Sequence, residues 1–273
     1  MRLNYDTFTG RRSAFVCTAF VLILLTFVAY SLLAQPLMKL LAPHMGKNVL
    51  TAVMLLIQNG LVLASVLIAA LVPERNFPLK EKLGLSMAPE YSLRFFFPIF
   101  VLAIGATYLA QFGLSALLEA CGREVKEQAL VEFYRTLKPL AFFGFAVITV
   151  IAAPIAEELA FRHIMYRFVR VFLYRKEAAV LVSLIFALCH VPSAIAYLFG
   201  AAKVSSGGWS AYFAGFPWEQ LLVPMIPLFV LAMFLQRQYE KSKSIIPSTL
   251  IHMGFNLISV FLLTLQVYYG VGE

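Results

Sequence analysis

Residues 152–166 read AAPIAEELAFRHIMY, and the two adjacent carboxylates in that stretch decide how the rest of the chain is understood. From Pro139 to Ala156 no side chain is ionisable, so Glu157 and Glu158 stand at the end of an apolar run long enough to enter a membrane. An ionisable group near hydrocarbon costs a few kcal/mol and marks a functional site by default. Glu158 and Arg162 are spaced i, i+4 with the acid first, the favourable order for an ion pair on one helix face. Glu157 points about 100° away from that pair, which leaves one carboxylate neutralised and the other available. The competing interpretation is that both acids and Arg162 simply end a transmembrane helix among lipid headgroups.

Working outward, two more polar residues interrupt apolar runs. His190 closes the string FALCH, inside an uncharged run that begins at Ala178, and His252 lies in IHMGFN with Asn256 one helical turn later. Composition places all of these in lipid: 61% hydrophobic and 13% charged residues in 273, with a mean hydropathy of +0.84, lie far from a soluble domain's balance. The net charge of +8 does not point to nucleic acid, because the Lys and Arg residues are scattered among loops and form no basic helix face. Cys17, Cys121 and Cys189 have no disulfide or ligand spacing and an odd count.

Hydropathy predicts an all-α polytopic membrane bundle of seven to eight spans in a single domain, residues 1–273. The expected spans are Ser13–Met38, Val49–Val72, Phe95–Leu118, Pro139–Ala156, Ala178–Ala202, Leu221–Gln236 and Ile245–Tyr269. The first follows Arg11 and Arg12 but is too long for a signal-peptide core. Between spans, PLKEKLGLS is expected to lie at the interface. The apolar spacing of Val125, Leu130, Phe133 and Leu137 predicts an amphipathic surface helix. Phe161–Tyr174 is expected to carry the fourth helix out along the interface, and VSSGGWSAYFAGFPWEQ reads as an interfacial or re-entrant loop. With the N-terminus in the cytoplasm, 15 of the 22 Lys and Arg residues fall inside and 7 outside, as the positive-inside rule favours. That orientation brings Glu157, His190 and His252 together in the cytoplasmic half of the bilayer.

Three strings, EELAFR at 157–162, Phe186 with His190, and His252 with Asn256, taken in this order within membrane runs, resemble the CPBP intramembrane glutamate protease family. That family includes the Rce1-type CAAX prenyl endopeptidases and the bacterial Abi proteins. The resemblance covers about residues 141–259, which would be the catalytic core. It implies an endopeptidase in which Glu157 and His190 activate water and His252 and Asn256 hold the oxyanion, with Glu158, Arg162 and Phe186 in support. The residues allow the same division of labour, since hydrolysis needs an activated water and oxyanion donors. The substrate implied is a membrane-associated peptide or protein, prenylated or bacteriocin-related, and no cofactor is required.

Other chemistries stay open. Two histidines and a carboxylate also make a zinc set with water in the fourth position, although no HEXXH helix is present. No G-x-S-x-G elbow occurs. A transport protein with a polar path, or a non-catalytic immunity factor, is the rival from another class.

Overall fold

The structure, a computed structural model, describes residues 14–72, 78–123, 134–191 and 218–269. Among these residues every regular element is helical, because a backbone crossing lipid must satisfy its own hydrogen bonds and helices do so within each segment. Helix α1 is Ala14–Leu41, α2 is Lys47–Ala70, α3 is the single turn Leu79–Lys82, and α4 is Leu93–Ala120. Residues 139–169 form one long rod, α5, followed by α6 (Arg175–Cys189), α7 (Trp218–Ser242) and α8 (Ile245–Tyr269). Local chemistry sets several of these ends. Ser92 caps α4 by accepting from the Arg94 amide at 3.4 Å, and Pro139 starts α5 where a missing N–H does no harm.

Six of these helices are long and apolar enough to cross a membrane. The fifth expected span, 178–202, is described only to residue 191, and α6 there has 15 residues. The expected amphipathic helix falls mostly, and the glycine-rich loop almost entirely, outside the described residues. The remaining boundaries lie close to expectation, and the last helix coincides with it. Many large apolar side chains face outward, among them Leu24, Leu25 and Leu109, as helices bathed in lipid require.

One expectation is corrected. Residues 161–169 do not leave along the interface: the rod continues to Val169 inside the bundle, with Phe161, Arg162, His163, Ile164 and Tyr166 buried. Phe161, Ile164 and Tyr166 pack with Phe15 and Ala19 of α1, Val62 and Val66 of α2, and Val182 and Phe186 of α6 in the main apolar core. A second cluster joins α4, α7 and α8 through Ile99, Leu231, Leu235 and Ile251. Burial of such side chains contributes roughly 1.5–3 kcal/mol each in water-referenced terms; against lipid the gain comes from close packing instead.

The segment expected at the interface is tied down at both ends. The Lys82 ammonium donates to the carbonyls of Ala70 at 2.9 Å and Val72 at 2.5 Å, closing the C-terminus of α2. Gly84, at φ +68°, uses backbone space a side chain would strain. Its carbonyl accepts from the Ile245 amide at 2.9 Å and from the Ser244 hydroxyl at 2.9 Å. The start of α8 is therefore fixed against α3.

Candidate active site

Helix α5 is not a uniform α-helix. At 148–152 and again at 158–165 its ladder widens to i→i+5 bonds, as from the Ala153 amide to the Ile148 carbonyl and from the Tyr166 amide to Phe161. Wide turns of this kind collect at functional sites because they re-aim side chains. Here they lie on both sides of Glu157.

Proline explains how α8 meets the first wide turn. In i→i+5 bonding the Thr149 carbonyl would accept from residue 154, and Pro154 has no N–H. The freed carbonyl instead accepts from Asn256 Nδ2 at 2.8 Å. A glycine lets α8 come close enough elsewhere, since a Cβ on Gly254 would lie 2.5 Å from the Phe100 ring. Asn256 is thus held by one of its two amide N–H groups, and the second has no hydrogen bond among the described residues.

Three of the four expected catalytic side chains converge. Glu157 Oε2 lies 3.6 Å from His190 Nε2 and 3.7 Å from His252 Nε2. It has no hydrogen-bond partner among the described residues although that oxygen is buried. His190 sits at the C-cap of α6, and its Nδ1 donates to the Phe186 carbonyl at 2.8 Å. A neutral His190 therefore turns a lone pair, not a proton, towards Glu157. His252 stands between the two acids, with Nδ1 3.2 Å from Glu158 Oε1. The glutamates share one histidine, a link that helical spacing alone does not reveal.

Glu158 and Arg162 are fully buried and 3.5 Å apart, which corrects the headgroup interpretation: these charges sit inside the bundle. The guanidinium carbon also lies 4.6 Å from the centre of the Phe186 ring, a cation–π contact that strengthens when water is excluded. That ring further meets Phe161 edge-on at 5.2 Å, His190 at 4.5 Å and His252 at 5.7 Å. Phe186 thus supports Arg162 and both imidazoles at once.

Sequence reasoning missed three participants. Gln58 and Asn59 of α2 line a cleft of about 60 Å³ beside Glu157; their signal was a pair of adjacent amides in the middle of an apolar run. Thr149 was missed because its role depends on a proline five positions on.

Residues 139–258 match the family model of the type II CAAX prenyl endopeptidase Rce1-like proteins, as the three motifs had suggested. No curated protein and no solved structure matches the chain.

Proposed function

We propose, from a membrane protein whose residues 139–258 are Rce1-like, that the chain is an intramembrane endopeptidase in which Glu157 activates the hydrolytic water. One observation carries this reading. Glu157 Oε2 and His190 Nε2 face each other at 3.6 Å, beyond hydrogen-bond reach, and when His190 is neutral with its Nδ1 proton on the Phe186 carbonyl both are acceptors. A water molecule supplies the protons both lack, and it is then polarised by the carboxylate that will remove its proton.

The reaction balances with these residues alone. The water oxygen attacks the peptide carbonyl carbon while its proton passes to Glu157. The oxyanion accepts hydrogen bonds from the remaining Asn256 amide N–H and from the His252 imidazole. Collapse breaks the C–N bond, Glu157 returns the proton to the departing amine, and an acid and an amine leave. Glu158 holds His252 in position, as a carboxylate orients a catalytic imidazole, and Arg162 offsets the buried charge of Glu158.

The substrate is a membrane-associated peptide of the prenylated CAAX type or a bacteriocin-related one. Incubating purified protein with a farnesylated CAAX-type peptide and with an unprenylated leader peptide identifies which is cut. Exhaustive chelation should leave cleavage intact; activity lost and then restored by zinc would replace the proposed water activation with a metal-bound hydroxide. The excess of Lys and Arg in one set of loops supports an N-terminus and a catalytic end of α5 on the cytoplasmic side. Lys241→Cys should accordingly be labelled from the cytoplasm and Lys47→Cys from the opposite face, and labelling of both from one side would refute that orientation.

A further inference from the structure

Hydrolysis consumes one water per turnover, and the site lies inside a bundle whose outer surface is apolar. The cleft beside Glu157 bears on how that water arrives. Phe27 of α1, Gln58 and Asn59 of α2, and Glu157 and Phe161 of α5 are among its walls, while neither His190 nor His252 lines it. Glu157 therefore stands between the cleft and the two imidazoles that flank its Oε2.

Its size and polarity select the occupant. About 60 Å³ accommodates on the order of four waters, whereas a peptide or a prenyl chain does not fit. A cavity stays wet only where polar groups line it, and the walls opposite Glu157 carry two amides. Asn59 Nδ2 donates to the Leu55 carbonyl at 2.9 Å, which fixes its side chain and leaves its carbonyl oxygen and second N–H to the cleft. Gln58, half-buried on the same wall, adds a donor and an acceptor of its own. Amide atoms left unbonded in an apolar run cost roughly 1–3 kcal/mol, so the capacity that Gln58 and Asn59 do not use within α2 calls for a polar occupant.

We propose that this cleft is the water inlet of the active site, and that Gln58 and Asn59 are positioning residues that pass water to Glu157. The inference rests on the protease reading above. It separates the path of water, between α1, α2 and α5, from the side where the peptide meets His190, His252 and Asn256.

The test compares wild type with Gln58→Leu/Asn59→Leu in the full-length protein, using a farnesylated CAAX-type reporter peptide. The expected result is a kcat at least about tenfold lower with KM unchanged. Peptide Kd, measured in a Glu157→Gln background that binds without cutting, should also be unchanged, and an unchanged Kd establishes that the variant is folded. Should the double variant fail to bind peptide at all, Gln58→Leu alone is judged by the same pair of numbers. Equal kcat in wild type and variant overturns the inlet. So does a weakened Kd with kcat preserved, which would make the amides part of the peptide site. Absence of any Glu157-dependent cleavage by wild type of either the farnesylated peptide or the unprenylated leader peptide overturns the protease reading, and the inlet with it.

Discussion

Helix α5 carries two buried polar clusters that share its core but differ in how their hydrogen bonds close. Around His163 each ring nitrogen has a partner: Nε2 donates to the Lys82 carbonyl at 3.0 Å, and Nδ1 accepts from the Tyr239 hydroxyl at 3.1 Å. Beyond it Tyr166 donates to Glu240, which also pairs with Arg175 at 2.6 Å. Around Glu157 the geometry stops short. Each of His190 and His252 has one nitrogen engaged and turns the other towards a carboxylate oxygen that no described residue bonds. A satisfied network holds helices together; one left open beside it is able to take a ligand. Burial does not separate His163 from His252, both of which are almost fully enclosed, and hydrogen-bond closure does.

The sharpest test of that contrast is Glu157→Gln, which keeps volume and polarity but removes the base. Cleavage should fall by about 1000-fold or more, with the melting temperature within a few degrees of wild type. If turnover survived there and vanished in Glu158→Gln instead, the roles of the two acids would be exchanged. His163→Ala should do the reverse. It removes two buried hydrogen bonds, with the Tyr239 hydroxyl and the Lys82 carbonyl, and leaves a cavity where the ring stood, so denaturation in detergent should show a loss of roughly 2–4 kcal/mol. Turnover per folded molecule should stay the same, and a drop in kcat without a loss of stability would move His163 into the catalytic cluster.

Asn256→Ala probes a residue that belongs to both kinds of bonding, because one N–H is committed to Thr149. Turnover should fall by about 100-fold with peptide KM little changed, since an oxyanion donor acts mainly on the transition state. A fall in stability with turnover per folded molecule intact would show that docking is its whole task. The smallest effect is expected from Gly254→Ala, where the added methyl meets Phe100. Overpacking of this sort costs about 1–3 kcal/mol, so thermal unfolding should shift modestly. Phe100→Leu should relieve it, and failure of that rescue would place the strain elsewhere.

These contrasts also explain what could be read in the sequence. The spans followed from hydropathy because lipid imposes it along the chain. The Glu158–Arg162 pair followed from spacing because both residues lie on one helix. His252 meeting Glu158 across 94 positions, and Asn256 meeting Thr149 across 107, leave no trace in local periodicity. The wide turns of α5 were equally hidden, since an i→i+5 stretch contains the same apolar residues as an α-helical one. His163 was overlooked because it sits beside Arg162 in a charged string, where exposure was the natural expectation; the fold buries it completely.

The gap that Pro154 leaves in the ladder of α5 constrains how this gene can change length. Inserting or deleting one residue between Thr149 and Pro154 would move the orphaned carbonyl around the helix by about 100° and out of reach of Asn256. Length variation among descendants of this chain should therefore be excluded from residues 149–154 and collect in the connections between helices. The proline and the asparagine should be lost or kept together.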